Sequence, residues 1–337
     1  MAHPETDKIQ VSPFTEALAE EWDSFIQNDS RNGGIFHERG FLEYHPVGRF
    51  MDASLVLRTK NKIVGVLPAA RQEAEQGWRV VSHPGSSAGG LVYQRQQGLR
   101  EMLEMLEIAL FYYREMGALS LELRLAEPIF SDPGDGELAY LLWHRGFRLA
   151  TREISSCVDL QSGATWEQFG RKKNSNDIRR LKNVGVKIEL LNDPSEIYSL
   201  IEGNLDNRYA KRPTHELAEL TDIKRRYPER LHFWAAVLDG RPIATVVTFV
   251  VNRTAIHDFY IAMDYSYARL QVMPLLFYSL FAYYQAQGFK WFNFGISSRG
   301  DWIKWGILEF KERMGGRATC RDTWILDDLK AYSAYVA

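Results

Sequence analysis

The densest reactive chemistry in the chain lies in one strand-like run, Thr254–Met263, which reads Thr254-Ala255-Ile256-His257-Asp258-Phe259-Tyr260-Ile261-Ala262-Met263. Strict alternation puts Ile256, Asp258, Tyr260 and Ala262 on one face and His257, Phe259 and Ile261 on the other. Asp258 and Tyr260 are thereby expected to point into one cleft. A carboxylate there would orient an amine, and a phenol would act as an acid or polarise a carbonyl. His257 is the better neutral base near pH 7, the alternative being a satisfied core histidine. Asn293, Ser297 and Ser298 stand at and beyond the end of a second run, Phe289–Phe294. Ligands of open sheets bind beyond strand ends. Tyr260, Asp258, His257 and Asn293 are therefore the expected catalytic set, with Ser297 beside the substrate.

Basic residues elsewhere suggest anion binding. Arg171-Lys172-Lys173, with Arg179, Arg180 and Lys182, forms a run containing one acid, Asp177. Lys172, Arg179 and Arg180 are expected to hold phosphate; a solvated helix face is the alternative. Arg208, Arg212 and His215 crowd a loop before a helix starting near Thr214, where an anion would meet the positive end of the helix; a capped loop is the alternative. In the first half, His37 is expected to touch substrate. His37 and His45 stand eight apart, which is no metal pair, and no metal is expected. The loop His83-Pro84-Gly85-Ser86-Ser87-Ala88-Gly89-Gly90 allows close approach of a ligand to backbone. There is no Gly-x-Ser-x-Gly elbow, P-loop or dinucleotide fingerprint. Cys157 and Cys320 are too far apart in sequence for a disulfide framework, a zinc finger or a CxxC redox motif.

The elements that must position these residues occur twice. A helix over Leu99–Met116 stops at Gly117 and is followed by a strand, Ala118–Leu123. A helix over Pro274–Gln287 stops at Gly288 and is followed by Phe289–Phe294. Each helix carries a tyrosine pair at the same distance before its glycine, Tyr112-Tyr113 and Tyr283-Tyr284, and glycine suits the left-handed position that ends a helix. Upstream, Ser54–Arg58 and Ile63–Leu67 read as a hairpin, as do Phe233–Leu238 and Ile243–Val251 around Asp239-Gly240. Downstream, Ala139–Phe147 and Phe310–Gly316 hold equivalent places. Hairpins mixed with helix-linked strands predict a mixed sheet flanked by helices, an α/β (α+β) fold in two repeats, with domains over residues 8–160 and 161–331.

Composition fits that reading. The 337 residues are 45% hydrophobic and 25% charged, with 41 basic and 43 acidic side chains. That balance excludes bulk disorder and gives no global basic excess for coating nucleic acid or a membrane. The first residues lack an apolar core, so no secretory signal is expected, and Met273–Tyr284 is too short to span a bilayer. A cytoplasmic protein is expected.

The order of elements resembles the GNAT acyltransferase unit, carried here by the hairpin Asp239-Gly240-Arg241-Pro242-Ile243-Ala244 and by Arg145-Gly146-Phe147-Arg148. Two such units resemble the Fem-type peptidyltransferases and related acyltransferases of cell-surface polysaccharide clusters. Trp22-Asp23-Ser24-Phe25, Ile35-Phe36-His37, Trp166-Glu167-Gln168-Phe169, Asn176–Val186, Asn293–Ser297 and Gly306–Gly316 carry that likeness over nearly the whole chain. It implies N-acyl transfer by direct attack of an amine on an activated carbonyl. The donor would be acyl-CoA or aminoacyl-tRNA (a charged tRNA). The acceptor would be a nucleotide- or lipid-linked sugar or peptide precursor of the cell envelope. GNAT enzymes hold the coenzyme A pyrophosphate on a glycine-bearing loop at a helix start. Tyr267–Pro274 has no glycine there, and Gln94–Leu99 has one. An acyl-CoA-dependent N-acetyltransferase of a nucleotide amino sugar and an inactive binding module are the alternatives.

Overall fold

The computed structural model describes residues 8–46, 48–131, 136–162, 179–181, 183–209 and 212–333, with backbone alone for 207–209. The chain forms two compact units, one of Met1–Glu153 with Cys320–Ala337 and one of Ile154–Thr319.

In the first unit, β1 (Gln10–Pro13) leads to α1 (Ala19–Asn28), which turns Trp22, Phe25 and Ile26 inward at helical spacing. The short α2 (Arg39–Leu42) follows. Then come β2 (Met51–Asp52), β3 (Leu55–Thr59), β4 (Lys62–Leu67), β5 (Ala69–Ala74), β6 (Gly77–Ser82) and β7 (Val92–Tyr93). Lys60 and Asn61 between β3 and β4 have φ of 49° and 65°, the left-handed pair that suits a two-residue hairpin. Helix α3 (Leu99–Glu115) crosses to β8 (Leu121–Arg124), which pairs in parallel with β6, and α4 (Glu137–His144) follows.

The chain changes unit inside β9 (Arg148–Asp159). The second unit contains β10 (Lys187–Leu191), α5 (Ser195–Tyr209) and α6 (Leu217–Arg226). Three antiparallel strands follow: β11 (Leu231–Leu238), β12 (Arg241–Val250) and β13 (Ala255–Met263). The β11–β12 turn repeats the first hairpin's solution, with φ of 49° at Asp239 and 75° at Gly240. Helix α7 (Met273–Ala286) crosses to β14 (Trp291–Ile296), parallel to β13. A small hairpin, β15 (Ser298–Arg299) with β16 (Trp302–Ile303), leads to α8 (Trp305–Arg313). The strands of this unit run β10-β11-β12-β13-β14-β9. The chain returns to the first unit within β17 (Arg317–Leu326), which pairs antiparallel with β8.

The expected repeat is present. In each unit a long helix joins two parallel strands and ends at a glycine of positive φ, 81° at Gly117 and 86° at Gly288. The second tyrosine of each pair is buried. The Tyr113 hydroxyl donates to Ala53 O at 2.7 Å. The Tyr284 hydroxyl accepts from Trp234 Nε1 at 3.0 Å and meets His232 Nδ1 and Thr248 Oγ1 at 2.8 and 2.6 Å. The strand that closes the first repeat in sequence, β9, pairs through Ser155–Asp159 with β14, and the strand that closes the second, β17, pairs with β8.

Candidate active site

The parallel ladder between β13 and β14 is short. It joins Ala255, Ile256 and His257 to Trp291, Phe292 and Asn293, and both strands continue beyond it unpaired to each other. A wedge therefore opens at the carboxyl ends of the two central strands. Beyond it β14 bulges: Asn293 faces Cys157 on β9, yet Ile296, three residues on, faces Ser155 only two back. Gly295 makes the bulge with φ of 71°.

Asn293 is fully buried at this point and fixes the local geometry. Its Oδ1 accepts from the Gly295 backbone N–H, from Ser155 Oγ at 3.3 Å and from His257 Nδ1 at 3.2 Å. A backbone N–H only donates, so the oxygen assignment is secure and His257 Nδ1 carries its proton. In the neutral ring, Nε2 then holds the lone pair. Asn293 Nδ2, two donors in one buried group, has no partner, nor do Ser297 Oγ, Ser156 Oγ and both carboxylate oxygens of Asp258. Buried polar groups are almost always paired.

Asp258 and Tyr260 do not share a face. Thr248 on β12 faces α7, where its hydroxyl meets Tyr284, and Asp258 stands opposite Thr248. Tyr260 stands opposite Val247, on the other face, because the register shifts and Phe259 is an extra residue on β13. Simple alternation fails at that bulge. Burial holds the Asp258 carboxyl well above the usual carboxylate range, against the opposing pull of the Lys311 ammonium. Lys311, on α8, is buried as well. Its Nζ donates to Gly295 O at 2.7 Å and Ile296 O at 3.0 Å, so the bulge carbonyls anchor a cation at the wedge.

Tyr260 has a different environment. Its hydroxyl accepts from His215 N–H at 3.0 Å and lies 3.0 Å from His215 Nδ1. Burial pushes the phenol up to about 12. The Tyr198 hydroxyl donates to His215 O at 3.1 Å, so two tyrosines pin the loop before α6. His215 is thus buried and held, while Arg212 is exposed. Arg179 is exposed, and Arg180 donates to Leu270 O at 2.8 Å, just before α7. Lys172 lies outside the described residues, as does the side chain of Arg208. Ser298 Oγ accepts from Ile154 N–H at 2.9 Å.

His37, in the first unit, lies away from this wedge in the chain and is committed to structure. Its Nδ1 accepts from Gly34 N–H at 3.2 Å, its Nε2 faces Gly89 O at 3.4 Å, and burial lowers it to about 4. The glycine-rich loop approaches protein closely. A Cβ on Gly85 would stand 1.9 Å from His45 Nε2, and one on Gly89 would stand 2.7 Å from Ser82 Oγ. The ladder between β6 and β8 is followed by Gly89, whose N–H donates to Arg124 O at 2.8 Å. Backbone thus spans the place that stays open in the second unit.

The wedge brings together His257, Asp258, Asn293 and Ser297, expected from the sequence, with Lys311, Ser155 and Ser156, which the sequence does not single out. Lys311 had a readable signal: with Leu308 it forms the buried side of α8, a lysine at an apolar position.

Residues 169–312 match the acetyltransferase (GNAT) domain family. Among solved structures, FemX matches with a TM-score of 0.72 at 10% identity, covering 94% of this chain and 96% of that one. L-PGS from Bacillus licheniformis matches with 0.57 at 13% identity, over 90% of each chain. A tandem GNAT protein from the clavulanic acid biosynthesis pathway matches with 0.51 at 14% identity, over 95% and 98%. The chain has a tandem GNAT fold. At these identities the likeness concerns fold alone, and no curated protein matches the sequence. Within the GNAT fold of the second unit, β13, α7 and β14 form the strand–helix–strand core that opens the wedge. No described helix is long and apolar enough to cross a membrane.

Proposed function

We propose that the chain is an N-acyltransferase that passes an acyl or aminoacyl group from an activated donor to an amine of a cell-envelope precursor, an amino sugar or a peptide. The observation that carries this reading is the wedge at the end of the three-pair β13–β14 ladder, lined by the unpaired Asn293 Nδ2 and by Lys311. The amine nitrogen attacks the donor carbonyl carbon and the bond to the leaving sulfur or oxygen breaks. Asn293 Nδ2 and the Lys311 ammonium stabilise negative charge on the carbonyl oxygen. His257 Nε2 takes the proton released by the attacking amine and returns it to the leaving group. Burial raises the Asp258 carboxyl on the α7 side, against the pull of the Lys311 ammonium. Tyr260 acts through His215 by fixing the loop, and Arg179 and Arg180 supply positive charge before α7 for donor phosphate.

The donor favoured is an aminoacyl ester rather than a coenzyme A thioester. Pro274, in the first turn of α7, has no N–H to offer a pyrophosphate, and Met273 and Pro274 are buried. The test is product formation, read by mass, from charged tRNA and from acyl-CoAs with amine acceptors. His257→Gln is expected to lower kcat by about 10²- to 10⁴-fold. Unchanged turnover in that variant would remove His257 as the base. No transfer from either donor class would defeat the reading.

A further inference from the structure

A cavity of about 280 Å³ opens within the first unit and takes no part in the chemistry above. It lies beyond the carboxyl end of β8, lined by Leu125 and Pro128 after the strand and by Leu138 and Ala139 of α4. These walls are aliphatic, and no aromatic side chain joins them among the described residues. One ion pair does. Arg152 on β9 donates through Nε and Nη2 to the two carboxylate oxygens of Asp322 on β17, at 2.8 Å each. The pair is held to the apolar wall, because Leu125 N–H donates to Asp322 O at 2.9 Å. The Arg152 side chain is 56% exposed and that of Asp322 15%, so the pair stands where the cavity meets water. Arg152 Nη1 has no hydrogen bond among the described residues. Size, polarity and charge together select a ligand. The volume falls just under the usual range for drug-sized ligands, which suits a small metabolite rather than a nucleotide. Aliphatic walls favour an aliphatic body over a sugar. A lone carboxylate on Arg152 would be repelled by Asp322, and a lone ammonium on Asp322 by Arg152. A zwitterion offers each member of the pair its opposite charge.

We infer that this cavity binds a free α-amino acid with a branched aliphatic side chain. The carboxylate meets Arg152, the ammonium meets Asp322, and the side chain lies among Leu125, Pro128, Leu138 and Ala139. Nothing in this assignment depends on acyl transfer in the second unit. Calorimetric titration of the full chain with L-leucine, glycine, isocaproate and isoamylamine reads each component in turn. Leucine is expected to bind roughly 10- to 150-fold more tightly than glycine, the effect of burying its side chain. Isocaproate lacks the ammonium and isoamylamine the carboxylate. Each is expected to bind about 5- to 10-fold more weakly than leucine, the effect of one charge-assisted bond at a half-exposed rim. Cys320 is exposed and lines the cavity, whereas Cys157 is buried. Saturating leucine should therefore slow alkylation of Cys320 by iodoacetamide, with Cys157 unreactive throughout. Ala139→Phe fills the aliphatic part and leaves the ion pair in place. It should abolish leucine binding, an unchanged unfolding temperature showing that the fold is intact. No leucine binding at millimolar concentrations would overturn the inference. So would isocaproate or isoamylamine binding as tightly as leucine, leucine binding that leaves Cys320 alkylation unslowed, or leucine binding retained in Ala139→Phe. The ligand series and the thiol readout use the unaltered chain, so they decide the outcome even where the variant fails to fold.

Discussion

At Asp23, burial outweighs hydrogen bonding in setting the pKa of a carboxyl. It accepts from Arg39 N–H at 2.5 Å and Gly40 N–H at 3.1 Å, holding the first turn of α2. Those bonds lower its pKa, yet burial outweighs them and pushes it up from 3.8 to about 6. The folded chain therefore holds this proton more tightly than the unfolded chain does. The stability contributed is fully present below about 4 and is lost as pH rises through about 6. The unfolding temperature of Asp23→Asn is expected to vary less than the wild type's between those limits; parallel curves would contradict the sign. At the wedge, residue types were legible and their directions were not. His257 and Asn293 could be named because polar groups in an apolar strand are expensive. The faces of Asp258 and Tyr260 were misread because alternation carries no mark of the extra residue at Phe259. Lys311 was overlooked because a lysine in a charged helix end reads as solvated until the helix is docked.

Elements were more legible than residues. The positive-φ pairs at Lys60-Asn61 and Asp239-Gly240 announce their hairpins, and Gly117 and Gly288 announce the helix ends. What the sequence hid was which strands pair. A linear division near residue 160 keeps β9 with the first repeat and β17 with the second, and pairing across long chain separations has no local signature. The bulge and α8 are coupled through Gly316. A Cβ there would stand 2.8 Å from Lys311 O and 3.3 Å from Ser156 Cβ. Backbone cannot yield cheaply, so Gly316→Ala is expected to shift the end of α8 and cost roughly 1–3 kcal/mol, the range for overpacking. Gly306→Ala, with nothing within 4 Å of its Cβ, is the control and should be close to neutral. Equal effects of the two on denaturant midpoint and on turnover would show that Lys311 is not held by this contact.

At the scale of the whole molecule, the two units differ in what fills the end of the parallel pair. Gly89 closes it in the first unit, and unpaired polar atoms line it in the second. Occupancy of that one wedge should therefore register as stability of the whole chain. The most direct test is thermal unfolding with acylated and deacylated forms of each donor, charged and uncharged tRNA and acyl-CoA and free coenzyme A, for wild type and Asn293→Ala. Donor at 100 times its dissociation constant should add about 2.7 kcal/mol. The expected result is a larger rise with the acylated form of one donor than with its deacylated form, and loss of that difference in Asn293→Ala. Equal rises for both forms, or a difference that survives in Asn293→Ala, would contradict the assignment of the wedge as the acyl site.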